Sequence, residues 1–420
     1  MADGPNFDLV KAAESLLEHA KRLASTGSER TNGAGASGAE ELKIRRVIAQ
    51  TAKKIAFETA PAIDVVKSDW VVLADVAAWN IFLEWSAFDH IPLDSPISYA
   101  DLAKAVDAQE SLVARIAGLL VATGKLKQPS PYHVAHSRVS LLYRSDSSVS
   151  NLAAVAFGNG MKPYAHWPEY FLKHGRREPS GNTNTPFSFG WGHLELAPWE
   201  IKALYPDYGA KFTKSMKSRQ IVGGDMKLTG PDALYDLGWL GEEAQARKDG
   251  AAVVDVGGGL GQLLKDVIRE VPGIRPRQCV LQDREEVINE AKEVGDEALK
   301  DVEMIAHDFH TPQPVKGALV YLLRRILLDY SDELAAGILR QLAEALPEDE
   351  LNARVIIMEE RLLDTPTPQN RIVDMVMLNL GGKLRNEKMF AELARAAGLR
   401  MVRFYAREGD ATCVVECAKA

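Results

Sequence analysis

The residues with the clearest chemistry lie in Asp255-Val-Gly257-Gly258-Gly259-Leu-Gly261-Gln262, a glycine-rich run that leads straight into LLKDVIREV. Glycines between a strand and a helix let a ligand approach the backbone closely, and the helix N-terminus offers N–H groups with no intrahelical partner. Such a turn alone is common to many adenosine-containing ligands. Two acids narrow it. Asp283 follows Gly261 by 22 residues, a spacing at which a carboxylate grips ribose hydroxyls. Asp255 stands just ahead of the glycines, where it would repel a pyrophosphate but attract the ammonium of an amino-acid moiety. The pattern favours S-adenosylmethionine over a dinucleotide; the bland alternative is a glycine turn with no ligand.

These residues need a sheet to carry them. From Gly250 onward, apolar runs of strand length alternate with amphipathic helices: AAVVDV (251–256), QCVLQD (278–283), EMIAHD (303–308), ALVYLL (318–323), RVIIME (354–359), RMVRFY (400–405) and TCVVEC (412–417). The helix DELAAGILRQLAEAL repeats Leu334, Ile338, Leu342 and Leu346 before Pro347 ends it. This alternation predicts an α/β fold with a mainly parallel, doubly wound, Rossmann-like sheet. Only Ala406–Ala411 separate the last two strands. A parallel crossover needs about a dozen residues, so these two must run antiparallel, giving seven strands with a terminal hairpin.

Upstream the chain divides into three further segments. Residues 1–67 read as helical, with helix over 7–25, a Gly/Ser/Ala-rich flexible linker over 25–40, and helix again from about 40 until Ala60-Pro61 breaks it. Residues 68–150 read as a small helical module. Asp69–Trp85 is strongly apolar, Ser98 caps a helix at Tyr99, and Leu112, Ile116, Leu119 and Leu120 share one face of the next. Gly124 stops that helix, and KLKQPSPYHVAHS follows as a two-stranded wing. The two helices carry only Lys104 and Arg115 as basic residues, too few for a phosphate-contacting face. The winged helix is therefore expected to pack or dimerise, not to bind nucleic acid. Residues 151–245, rich in Trp, Phe, Pro and Gly, read as a helical pocket-lining segment or as inter-domain core. Residues 246–420 form the sheet domain.

Composition bounds the function. The chain has 420 residues, enough for two or three domains. With 50 Lys and Arg against 58 Asp and Glu, its net charge of −8 argues against nucleic acid or an anionic membrane as partner. No apolar run approaches the roughly 20 residues needed to span a bilayer. The N-terminus shows no secretory pattern, and Cys279, Cys413 and Cys417 fall in strand-like stretches, as buried thiols of a reducing compartment do. A cytoplasmic enzyme is expected, with no metal site.

In order along the chain, DVGGGLGQ, LQDREEVI, HDFHTPQP, YLLRRILLDYSDE and DMVMLNLGGKLRNEKMFAELARAAGL resemble the motifs of plant- and fungal-type small-molecule O-methyltransferases. ISYADLAKAVDA, LVARIAGLLVATGKL and YHVAHS resemble that family's winged-helix dimerisation module, so the likeness spans about residues 65–420. The resemblance implies a homodimer, with 1–67 joining in dimerisation, and a Rossmann-like domain holding S-adenosylmethionine. It implies that Gly257, Gly259 and Asp283 hold the cofactor's methionine and ribose, that Asp308 and Phe309 flank adenine, and that Arg324 also contacts the cofactor.

The departures from the family pattern carry the most information. Its general base is a histidine in a string such as LRRILHDWSD; here Leu328 stands in that place, followed by Asp329. The family orients the histidine with two acids. Glu359 matches one, but Leu384 replaces the other in GGKLRNEKMF. A positioned base contributes about 10²–10⁴-fold to such reactions, and leucine accepts no proton. Some fungal enzymes of this fold keep the cofactor without spending its methyl and catalyse dehydration and pericyclic closures, and this chain is similar to them in losing the histidine. The first expectation is therefore a pericyclase of fungal secondary metabolism on a polyketide or polyketide-peptide-like substrate, with the sulfonium as a fixed charge. A genuine O-methyltransferase on an acidic substrate is the second expectation, and an inactive partner of a paralogue the third. Candidate catalytic groups are His166, Asp329 and Glu359. His166 either faces substrate or packs beside Trp167, and Asp329 serves either chemistry or structure. Trp167, His193, Thr229, Met375 and Asn379 are expected to line the substrate pocket, and Asp374 to begin a helix as its cap.

Overall fold

The computed structural model describes residues 7–28, 36–222, 227–247, 249–348 and 352–420. The chain forms two compact units, one up to Leu141 and one from Leu142 to Ala420.

The first unit opens with two packed helices, Leu9–Ser28 and Ala36–Thr59. The expected linker is thus bounded more tightly than 25–40: Ser, Thr and Ala extend both helices into it, and its residues 29–35 lie outside the described residues. The apolar helix Ala62–Glu84 follows. Strands β1 (Ile97–Ser98), β2 (Leu126–Ser130) and β3 (His133–His136) form an antiparallel sheet in the order β1-β3-β2, framing the helices Tyr99–Ala105 and Glu110–Ala122. Ser98 caps its helix, its hydroxyl oxygen accepting from the Asp101 N–H at 3.0 Å. On Glu110–Ala122 the buried stripe is Val113, Ala117 and Leu120, while Leu112 is exposed. Of the expected face only Leu120 lies in that stripe; Ile116 and Leu119 are half-buried beside it. LVARIAGLLVA is apolar nearly all round, so spacing alone could not select the buried stripe.

The second unit holds a seven-stranded sheet, with β4 (Val253–Val256), β5 (Cys279–Asp283), β6 (Glu303–Ala306), β7 (Val320–Arg324), β8 (Arg354–Glu360), β9 (Leu399–Ala406) and β10 (Thr412–Lys419). The order is β6-β5-β4-β7-β8-β10-β9. The first five strands are parallel, and β10 inserts antiparallel between β8 and β9. Valine, isoleucine and leucine fill both faces, as a sheet covered on two sides requires. On one face Val254, Leu323 and Ile357 pack with Ile338, Leu342 and Leu393 of the helices Asp332–Ala343 and Glu387–Ala396. On the other, Val253, Leu281 and Leu322 pack with Leu263, Val267, Ile288 and Leu240 from three further helices. Strand order reverses at β4, so its carboxyl end opens the crevice where ligands of such sheets bind. Between Ser148 and Val222, several helices precede the sheet, broken by one π-helical turn, Phe157–Met161.

Candidate active site

The glycine run sits at the carboxyl end of β4. Gly257, Gly259 and Gly261 all adopt positive φ, at 70°, 59° and 76°, conformations that strain any other residue. A Cβ on Gly258 would meet the Asp255 carboxylate and the Leu281 side chain at 2.5 Å. The side of Gly259 where a Cβ would stand is open, with no atom within 4 Å. Asp255 is 1% exposed, and its Oδ2 has no hydrogen-bond partner among the described residues. Burial pushes its carboxyl up to about 7, with Arg324 opposing and Asp283 adding to the shift. At the end of β5, Asp283 accepts from the Gly259 N–H and the Arg284 N–H, each at 2.8 Å. Phe309 reaches the same loop, its ring edge 3.5 Å from where a Gly257 Cβ would stand, and crosses Tyr330 edge-on at 5.8 Å between centroids. Asp308 is exposed beside it, its Oδ1 accepting from the His310 N–H at 3.0 Å. An orphaned buried carboxylate, an open glycine cradle and a second acid at the next strand end suit an amino-acid ammonium and a ribose. The seven expected cofactor residues thus gather around the ends of β4 to β7.

Next to them stands an apolar wall. Leu328 and Leu384 pack with Phe187, Ile201, Met377 and Leu380. Their two segments touch closely: the Lys383 N–H donates to the Leu328 carbonyl at 3.0 Å, and a Cβ on Gly382 would overlap that same oxygen. The loop bearing Leu328 and Asp329 is held from two sides. Glu359 Oε1 accepts the N–H groups of Ile326 and Leu327, both at 2.8 Å. Arg385, 1% exposed, donates to the carbonyls of Leu327 and Tyr330, both at 2.8 Å, and pairs with Asp332 at 2.9 Å. Burial drives Glu359 up to about 8, with the two backbone donors working against it and Asp329 adding to it. Asp329 itself is exposed.

With the glycine cradle, the apolar wall and the sheet order in view, comparison with known proteins is decisive. The family described as O-methyltransferase domain matches residues 172–400. Methyltransferase cfoD of Aspergillus candidus is 38% identical over 390 residues, covering 91% of this chain and 94% of that protein. The chain belongs to the O-methyltransferase family. Among solved structures, OxaC superposes with a TM-score of 0.80 at 19% identity, over 98% of this chain and 99% of its own. LepI in complex with SAM superposes at 0.74 and 21% identity, over 97% of this chain and all of its own. The same figures hold for a structure described as a pericyclic reaction enzyme. At these identities the structural likenesses speak for the fold.

For an O-methyltransferase family member, the remaining expected residues scatter instructively. Asn379 is fully buried; its Oδ1 accepts from Trp167 Nε1 at 2.7 Å, and its Nδ2 donates to the Asn159 carbonyl at 2.9 Å. Tyr208 donates to Asn159 Oδ1. This network ties the π-helical turn to the helix Pro368–Leu380. His166, half-exposed, precedes the helix Trp167–His174, lies 3.4 Å from Glu169 and meets the Phe189 ring edge-on at 6.0 Å. His193 pairs with the Tyr205 hydroxyl at 3.0 Å. Thr229 donates to the Glu270 carbonyl at 3.3 Å, and so packs against the helix Gln262–Glu270. On Pro368–Leu380 it is Met377 that joins the wall, while Met375 is half-buried outside it. That helix begins at Pro368 under a Thr367 cap. Asp374 lies inside it and accepts the Leu384 N–H at 3.0 Å, correcting its expected place as a cap.

Two lysines were not foreseen. Lys202 Nζ sits 3.4 Å from the Phe212 ring centroid, one residue after Ile201 of the wall. Burial lowers its ammonium to about 8, while Asp329 supports the charge and Arg284 opposes it. Lys162 Nζ lies 3.6 Å over Trp191, whose indole also packs against the wall cluster, and burial lowers it too. A single lysine in an aromatic segment gives no sequence signal; only the fold lays its ammonium on Phe212.

Proposed function

We propose that this protein is an S-adenosylmethionine-dependent methyltransferase whose small-molecule acceptor ionises without a protein base at the family's histidine position. The observation that carries the reading is the pairing of a complete cofactor cradle with a wall of Leu328 and Leu384. When bound, S-adenosylmethionine supplies a methyl on cationic sulfur, which the acceptor's lone pair takes as the carbon–sulfur bond breaks and S-adenosylhomocysteine is left. Asp255 would hold the cofactor's ammonium, its carboxyl ionising as the charge arrives. Asp283 would hold the ribose hydroxyls, and Phe309 would stack at the adenine with Asp308 beside it. Arg324, at the end of β7, would balance Asp255. The leucine wall excludes water and fixes the acceptor's apolar frame. Glu359 and Arg385 keep the wall's loop rigid; they position and do not exchange protons with substrate. A relative named methyltransferase, at 38% identity over nine-tenths of the chain, supports methyl transfer.

A second reading rests on the same leucines. An apolar wall with a retained cationic cofactor also suits a pericyclase that performs dehydration or a Diels–Alder, hetero-Diels–Alder or Alder-ene closure, and the LepI-like fold supports it. Either reaction would place the protein in natural-product biosynthesis; the relatives compared are fungal methyltransferases by name. We also infer a homodimer: Ile63, Val66, Trp70, Val71, Val72 and Leu73 leave apolar surface exposed on Ala62–Glu84, of the kind obligate interfaces bury.

The test uses extract from a producing strain that lacks this protein, supplemented with purified protein and methyl-labelled S-adenosylmethionine. A labelled metabolite heavier by one methylene supports methyl transfer. An unlabelled product, isomeric with its precursor or lighter by one water, supports the pericyclase instead.

A further inference from the structure

The cofactor cradle is assembled from two loops on separate strands: the glycine run after β4, and residues 307–315 after β6, which carry Asp308 and Phe309. Between these strands lies β5, and at its end Gln282 precedes Asp283. The Gln282 backbone carbonyl accepts the Gly257 and Gly258 N–H groups at 2.8 and 3.0 Å, which fixes the start of the glycine run. Alternation along β5 turns its side chain away from Leu281, toward the face of Val280. There the glutamines of LQDREEVI and HDFHTPQP meet. Gln282 Nε2 donates to Gln313 Oε1 at 2.7 Å, and Gln313 Nε2 donates back to Gln282 Oε1 at 2.8 Å. Both residues are 1% exposed. Gln313 Oε1 also accepts the Val315 N–H at 3.0 Å, and the Tyr321 hydroxyl of β7 donates to the Val315 carbonyl at 2.6 Å. Side chains thus bond the second loop to both β5 and β7.

An apolar pair of the same size would fill this space at little cost to stability, because two buried amides gain from each other little more than they lose in leaving water. What the amides add is direction: two bonds of fixed geometry join the loops, where apolar contacts would slide. We propose that Gln282 and Gln313 are a positioning pair that sets the spacing between the glycine run and the Phe309 loop, so that intact cofactor is bound in preference to its nucleoside alone. This rests on the cofactor placement proposed above and is independent of whether the methyl is transferred. A cofactor held at Asp255 by its amino-acid end is pinned, and cannot follow a displaced Phe309 loop. Adenosine lacks that end and shifts with the loop. A preset spacing therefore favours only the ligand that spans both sites.

The experiment is calorimetric titration of the full chain with S-adenosylhomocysteine and with adenosine, alongside thermal melts without ligand. Gln313→Met should weaken S-adenosylhomocysteine by about tenfold and adenosine by less than about threefold, the scale of one or two hydrogen bonds. It also leaves the Gln282 amide unpaired and should lower the melting temperature. The double variant Gln282→Met with Gln313→Met leaves neither amide unpaired. It should regain most of the lost melting temperature and keep the weakened discrimination between the two ligands, and it carries the test alone if the single variant does not fold. A pair that served only the core would move the melting temperature and leave the ratio of the two affinities as in wild type. That result in the double variant, or an equal loss for both ligands, overturns the inference. A wild type that binds adenosine as tightly as S-adenosylhomocysteine overturns the cofactor placement itself, before any variant is compared.

Discussion

Asp255 illustrates how one buried carboxyl couples stability to ligand. Its folded pKa is raised to about 7 by burial, whereas an unfolded Asp titrates near 4. The fold therefore favours the protonated form. The stability this group contributes is full below about pH 4 and is lost as pH climbs through about 7. Asp255→Asn should raise the melting temperature of the unloaded protein at pH 8 and leave it nearly unchanged at pH 4. The same variant should weaken S-adenosylmethionine binding by about ten- to a hundredfold, the worth of a charge-assisted hydrogen bond. Calorimetry and thermal melts at the two pH values check both arms. Glu359, driven up to about 8, obeys the same sign. An amide oxygen can accept the two N–H donors as the carboxyl does, so Glu359→Gln should keep labelled methyl transfer within about threefold and stabilise the protein at pH 9 but not at pH 5. A loss of about a hundredfold at constant stability would make Glu359 a proton carrier instead. Asp255 and Asp283 were legible because strand ends and glycine spacing announce them. Lys202 was not: its ammonium meets the Phe212 ring only once two helices pack.

At the scale of elements, the loop after β7 is the most heavily constrained part of the site. Acid, guanidinium and glycine each fix it, through Glu359, Arg385 and Gly382. Gly382→Ala should force the Leu328 and Leu384 segments apart and cost about 1–3 kcal/mol, as overpacking does. Denaturant unfolding measures this, and reduced acceptor binding with unchanged cofactor binding would localise it to the wall. The strands of the sheet were readable within two residues or so, since β-branched runs bounded by glycine or acid have few other uses. The buried stripe of Glu110–Ala122 was read only at Leu120 because that helix is apolar on several faces, and only packing selects Val113 over Leu112. Likewise nothing in FGNGM signals a π-turn, which depends on Asn159, Tyr208 and Asn379 meeting from three helices.

For the whole molecule, the family and its fold followed from the order of motifs, while the reaction turns on two leucines whose meaning depends on what surrounds them. The exposed face of Ala62–Glu84 belongs to this scale also. Trp70 is 71% exposed, which a lone monomer has little reason to tolerate amid other apolar side chains. Trp70→Glu should convert the proposed dimer to monomer in sedimentation velocity, and a wild type that sediments as monomer at micromolar concentration would contradict the homodimer. No helix among the described residues is long and apolar enough to cross a membrane. The most direct test of the central claim is a single-turnover chase. Protein loaded with methyl-labelled S-adenosylmethionine is freed of excess cofactor and mixed with extract from the strain lacking it. Methyl transfer without a histidine base predicts that label leaves the protein for a metabolite, with one S-adenosylhomocysteine formed per labelled product. Intact labelled cofactor remaining on the protein while the precursor is consumed would contradict it.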